Sequence, residues 1–140
     1  MFKNVLVPVD FSEASAHAVR LARGLGERVT LMHVGLAPEL YYGDLAAYGF
    51  AVPETAKSVR EEVQRESTKA LERLRADEAP GAQILVREGY APDEICAEAA
   101  RGYDLVVMGT HGRTGIKRAL LGSVTERVLR HCKVPILVTR

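Results

Sequence analysis

The feature that most constrains this chain is an alternation of short, nearly continuous apolar runs with longer stretches of helical period. Asn4 to Val9 (N-V-L-V-P-V) is apolar at successive positions rather than at every second one. Such a run reads as a strand buried on both faces, the mark of a central parallel strand. Pro8 lies near its end, where a missing donor is tolerable. Leu105 to Met108 (L-V-V-M), led in by Asp104, is a second run of the same kind. Val29 to Val34, Gln83 to Arg87 and Val134 to Thr139 give three further strands. The third, Gln83 to Arg87, is more polar, as suits an edge, and Pro135 at the start of the fifth is compatible with an edge as well.

Helical patterns fill the gaps. Asp10-Phe11-Ser12-Glu13 opens the first, with Asp10 and Glu13 at capping-box spacing and Ser12 as a competing N-cap. Ala14, Ala18, Leu21, Ala22 and Leu25 form its expected apolar face, and Gly24 and Gly26 are expected to stop it. Pro53 to about Asp77 is a long helix with Val59, Val63, Ala70, Leu71 and Leu74 as the expected buried stripe. Glu61 and Arg65 are an i,i+4 pair on its solvated face. Pro80-Gly81 turns the chain, and Gly89 ends the third strand. Ala91-Pro92-Asp93-Glu94 begins a short helix to Arg101, and Val124 to Cys132 is amphipathic. The order βαβαβαβαβ implies a parallel sheet with helices on both faces. Right-handed crossovers limit the topology. Placing the two most apolar strands, the first and fourth, side by side gives the order 3-2-1-4-5.

Composition limits the partners. With 140 residues and ordinary apolar content, the chain is expected to be one α/β domain over residues 1–140. A formal net charge of +1 gives no global attraction to nucleic acid or membrane. No run of about 18 apolar residues and no signal peptide is seen, so a cytoplasmic location is expected. The two cysteines, Cys96 and Cys132, have no C-x-x-C spacing, suggest no metal site and read as small buried hydrophobes. His33 in the second strand reads as a packed residue rather than a catalyst. Gly35 to Val52 has no clear period and holds Tyr41, Tyr42, Tyr48 and Phe50. Its rings either cover a ligand site, pack at a subunit contact or fold onto their own domain.

The chemistry points to one stretch. Gly109 to Ser123 reads G-T-H-G-R-T-G-I-K-R-A-L-L-G-S, between a strand and a helix. Glycine permits close backbone approach and φ > 0. A helix N-terminus offers unpartnered N–H groups and a partial positive charge, so phosphates bind there. No acid lies between Asp104 and Glu126, whereas Arg113, Lys117 and Arg118 are basic. The bland alternative is a turn, with Ser123 and Glu126 as a capping box. That leaves unexplained a connection far longer than the usual 2–6 residues or so. The spacing is neither a Walker A loop, since Ile116 follows Gly115, nor a G-x-G-x-x-G fingerprint.

The pattern G-2x-G-9x-G-S, formed by Gly109, Gly112, Gly122 and Ser123, resembles the ATP-binding branch of the universal stress protein family. The resemblance runs from V-L-V-P-V-D-F-S-E near the start to K-V-P-I-L-V at the end. It implies a Rossmann-like sheet with the same strand order. It implies Pro8, Val9, Asp10, Val34 and Met108 around an adenosine, and Gly109, Gly112, Arg113, Gly122, Ser123, Val124 and Thr125 around the phosphates. Mg²⁺ or Mn²⁺ is expected to be held through the phosphates and water. A homodimer is implied too, and Val134 to Thr139 is an apolar edge suited to pairing with its own copy.

Topology supports the same site independently. In the order 3-2-1-4-5 the winding reverses between strands one and four, and ligands bind at the carboxyl ends of strands flanking such a switch point. Asp10 and Gly109 therefore face one crevice. Asp10 is placed to accept from a ribose hydroxyl or to cap the first helix. Val34 is placed to meet a base or to serve as core. Near His111 no carboxylate stands in sequence to act as base or orienter. Three readings stay open: a nucleotide-dependent stress-response module, a slow ATPase or autophosphorylating protein with Ser123, Thr125 or Thr114 as acceptor, and an interaction protein with an empty loop. No catalytic residue is assigned, and protein partners are not legible.

Overall fold

The computed structural model describes residues 1–37, 47–51, 53–110 and 121–140. Its elements are β1 (Phe2–Pro8), α1 (Glu13–Leu25), β2 (Gly26–Gly35), α2 (Glu54–Glu78), β3 (Gln83–Glu88), α3 (Ala91–Ala99), β4 (Leu105–Gly109), α4 (Ser123–His131) and β5 (Ile136–Thr139). The strands form one parallel sheet in the order β3-β2-β1-β4-β5, as the alternation predicts.

The continuous apolar runs are explained by a core on each face. Val5, Val7, Leu105 and Val107 point to one side and pack with Ala18, Val19 and Ala22 of α1 and Leu71 of α2. Leu6, Val106 and Met108 point to the other and pack with Ile95 and Ala99 of α3 and Val128 of α4. Period-2 alternation within β1 and β4 thus feeds two different cores. At the amino ends, Asp104 joins the central strands by accepting from the Lys3 and Asn4 amides at 2.8 and 2.9 Å. The Lys3 bond, assisted by that from Asn4, holds its carboxyl below the ordinary Asp range.

Several local expectations change. Of the expected face of α1, Ala18 and Ala22 are buried and Leu25 packs against the core, but Leu21 is exposed and Ser15 and Val19 complete the buried side. The N-cap is Ser12, whose side chain accepts from the Ser15 amide, and not Asp10. The helix runs through Gly24, and Gly26 begins β2 in extended conformation. Gly26 is needed for space, since a Cβ there would lie 2.5 Å from Val5 Cγ2. On α2, Leu71 is buried but Val59 and Val63 are exposed, because the amino-terminal half of the helix stands off β2 and β3 across a cavity. Arg65 pairs with Glu62 rather than Glu61. Gly81 and Gly89 have φ of +90° and +141°, as their turn roles require. The β5 ladder starts at Ile136, since Pro135 has no N–H to donate.

Candidate functional site

A crevice of about 190 Å³ opens at the carboxyl ends of β1 and β4. Pro8, Val9 and Asp10 form one wall and Met108 and Gly109 the facing one. Val34 closes the β2 side, while Gly122, Ser123, Val124 and Thr125 bring in the start of α4. Ten residues singled out from the sequence thus line one cavity, drawn from both ends of the chain. Gly112 and Arg113 lie outside the described residues, as do His111, Thr114, Lys117, Arg118, Tyr41 and Tyr42.

The turn after β1 shapes the first wall. Asp10 Oδ1 accepts from the Ser12 amide at 2.9 Å, an Asx turn. It supports Phe11 at φ +63°, a left-handed conformation that is costly for a bulky residue. The Phe11 ring meets His33 with centroids 4.7 Å apart. His33 Nδ1 lies 2.7 Å from the Val9 carbonyl. A carbonyl only accepts, so Nδ1 carries the proton and donates. Asp10 is therefore held in place by the turn, at the mouth of the crevice, instead of capping α1.

The second wall is built on the glycine loop's two ends. Thr110 N–H donates to the Thr139 carbonyl at 2.8 Å, and Gly122 N–H donates to the Thr110 carbonyl at 2.8 Å. The Thr125 hydroxyl, buried, donates to the Gly109 carbonyl at 3.0 Å. These bonds fix the N-terminus of α4 against the end of β4. The N-cap is Gly122 and no side chain caps it, so the Ser123–Glu126 capping box, the bland alternative to a ligand site, is not formed. Glu126 instead pairs with Arg130. Ser123, Val124 and Thr125 are the first three helical residues, whose N–H groups have no acceptor within a helix. They lie at the crevice, where the helix dipole favours an anion.

The glycines work differently from the expectation. Neither Gly109 nor Gly122 has a positive φ; Gly122 sits at −59°. A Cβ on Gly109 would come within 2.8 Å of the Ala14 carbonyl carbon and Cβ. Gly109 is thus required by the close approach of α1, whereas the backbone of Gly122 is open to other residues.

Ser15, Met32, His33, Ala91 and Ile95 also line the crevice and were not singled out as site residues. For Ala91 and Ile95 the signal was available: their helix follows β3 and returns over the same end of the sheet. Tyr90, at the N-cap of that helix, lies under the Arg127 guanidinium of α4, 5.5 Å from its ring centroid. Of the exposed aromatics, Tyr48 and Phe50 face solvent rather than packing on their own domain.

A second cavity, about 620 Å³, lies between α2 and the ends of β2 and β3. It is larger, but Val59, Val63 and Ala56 dominate it, and its charged groups are engaged in pairs: Glu88 with Arg60 and Gln64, and Arg87 with Glu98. The smaller crevice has the strand ends, the helix N-terminus and an anchored carboxylate. It is the better candidate.

A model of the universal stress protein family matches residues 1–140. Universal stress protein MJ0577 of Methanocaldococcus jannaschii is 31% identical, over 100% of this chain and 96% of its own length. Universal stress protein YxiE of Bacillus subtilis is 30% identical, with 100% of both chains covered. The solved structure of MJ0577 superposes with a TM-score of 0.80, at 29% identity, over 99% of this chain and 96% of that one. A universal stress protein solved in complex with cAMP has the same fold, with a TM-score of 0.60 at 23% identity, covering 99% and 97% of the two chains.

Proposed function

Since this chain belongs to the universal stress protein family, we propose that it binds ATP in the β1–β4 crevice and acts as a nucleotide-dependent stress-response module. The observation that carries this is the meeting of an anchored carboxylate, Asp10, with the uncapped start of α4 at one switch-point cavity. In this reading Pro8, Val9, Asp10, Val34 and Met108 surround the adenosine, and Asp10 accepts from a ribose hydroxyl. The amides of Ser123, Val124 and Thr125 take the phosphates, with Gly109, Gly112, Arg113 and Gly122 completing the loop. The hydroxyl of Thr125 is occupied by Gly109, so its contribution is through its amide.

Among the described residues no group of three His, Cys, Asp or Glu is placed to hold a metal, and Asp10 is the acid at the crevice. That donor set fits Mg²⁺ or Mn²⁺ held mainly by phosphates and water. The reading is of binding with slow or no hydrolysis: no carboxylate stands near His111 in sequence to serve as base or orienter, and Asp10 is taken by the ribose. The chain acts as one domain, in the cytoplasm, as a homodimer joined through β5; nucleic acid is not a partner. Among the described residues no helix is long and apolar enough to cross a membrane.

The test is to extract purified protein with acid, identify any released nucleotide, and titrate apo-protein calorimetrically with ATP, AMP and cyclic AMP. Asp10→Ala and Gly122→Val are expected to weaken ATP binding at least about tenfold, roughly 1.4 kcal/mol, with the circular dichroism spectrum unchanged. Unaltered affinity in both variants, or no heat with any nucleotide, would refute the assignment.

A further inference from the structure

The crevice has a cation at its rim, on the side where α3 packs on α4. Ser123 and Val124, in the first turn of α4, line the crevice. Arg127 follows them by four and three residues and so shares their face of the helix. Helical side chains lean toward the amino end, so a residue at this position covers the turn before its own. From the other side comes Tyr90, the N-cap of α3. Its carbonyl accepts from the Asp93 and Glu94 amides at 3.1 Å each, which fixes it to the helix start. The next residue, Ala91, lines the crevice. The two elements meet where the Arg127 guanidinium stands over the Tyr90 ring, 5.5 Å from its centroid. The contact therefore lies at the corner where both helices join the crevice wall.

The charge on Arg127 is not spent within the chain. Arg130, on the same helix, pairs with Glu126 at 2.7 Å, and Arg87 and Arg101 both face Glu98. Among the described residues no carboxylate pairs with Arg127. An aromatic ring attracts the guanidinium but offers it no oxygen, so its five N–H donors are left for another acceptor. The corner itself is acidic: Asp93 and Glu94 open α3, and Glu126 opens α4. Without Arg127 it would repel an anion.

We propose that Arg127 is a further ligand-binding residue of the crevice, held on the Tyr90 ring to pair with the phosphate groups of the bound molecule; this rests on the reading of the crevice as a nucleotide site. A guanidinium pairs with two phosphate oxygens at once, and stacking on an aromatic ring orders it beforehand. Tyr90 is then a positioning residue, acting through Arg127 and not on the ligand. The strand ends and Asp10 take the nucleoside, while the amides of Ser123 to Thr125 and the Arg127 guanidinium take the phosphates. Arg127 thus discriminates ATP from adenosine, and not one base from another.

The full chain, stripped of ligand, is titrated calorimetrically with ATP, adenosine and inorganic tripolyphosphate, at about 50 mM and about 500 mM salt. Arg127→Met keeps most of the apolar stem and removes the charge. It is expected to weaken ATP and tripolyphosphate about tenfold at low salt, by less at high salt, and to leave adenosine unchanged. Arg127→Lys recovers part of the loss, because it restores the charge without the two-oxygen fit. Tyr90→Phe keeps the ring and binds ATP as the native chain does, whereas Tyr90→Leu loses part of the affinity. Unchanged ATP affinity in Arg127→Met overturns the proposal. So does an equal loss of ATP and adenosine that ignores salt, the mark of a merely structural role. In both cases the nucleotide reading stands. A native chain that takes up neither ATP nor adenosine removes that reading, and Arg127 is then judged on tripolyphosphate alone: weaker binding in Arg127→Met keeps it as an anion-binding residue, and equal or absent binding removes it.

Discussion

Replacing Gly109 by alanine separates packing from ligand binding at the glycine loop. A Cβ there would stand 2.8 Å from both the carbonyl carbon and the Cβ of Ala14, and 3.0 Å from its oxygen. Contacts this short do not persist, so α1 must retreat from β4 by about half an ångström or more. It has little room to do so, because Ala18, Val19 and Ala22 of α1 are fully buried against β1 and β4. Overpacking of this kind costs about 1–3 kcal/mol. With a urea dependence of about 1–3 kcal/mol/M for a small domain, the unfolding midpoint should fall on the order of 1 M. Equilibrium urea unfolding followed by far-ultraviolet circular dichroism reads it directly. Adding Ala14→Gly removes the clashing Cβ but leaves the carbonyl carbon and oxygen, so recovery should be partial. An unchanged midpoint in the single variant, or complete recovery in the double one, would show that the α1 backbone does not crowd this position. Ligand loss in Gly109 variants then reports a displaced α1 as well as a blocked crevice.

Other expectations follow from the same geometry. Thr125→Val keeps the side-chain shape and removes the hydroxyl that donates to the Gly109 carbonyl; the expected loss is about 1–2 kcal/mol in urea unfolding, and none at all would mean that this bond does not fasten α4 to β4. Asp104 has a depressed folded-state value, so its stabilising contribution is present above its ordinary value of 3.8 and fades as pH falls through the lower folded one. The midpoint gap between the native chain and Asp104→Asn should therefore narrow from about pH 6 to about pH 3, and a constant gap would contradict that sign. β5 is an edge with Leu137 exposed, and Leu137→Lys should shift the proposed dimer to monomer in analytical ultracentrifugation. Equal sedimentation of the two proteins would remove β5 from the interface. Phosphate release from ATP by the intact chain should stay below one turnover per minute or so, far under the usual enzyme range of about 1–10³ per second.

The strand order was legible because buried strands carry their signal in consecutive residues: Val5, Leu6 and Val7 are all apolar, and a strand covered on both faces leaves them no alternative. Gly109, Gly122 and Asp10 were legible as one crevice for a related reason, since chain direction and right-handed crossovers fix which strand ends point the same way. The start and the flank of the first helix were not legible: Ser12 and Asp10 both fit an N-cap until the Asx turn at Asp10 decided between them, and beside Ala18 and Ala22 it is Val19 rather than Leu21 that is buried. The reason for Gly109 was also hidden, because a glycine kept for a ligand and one kept for a neighbouring helix are the same letter until Ala14 stands beside it.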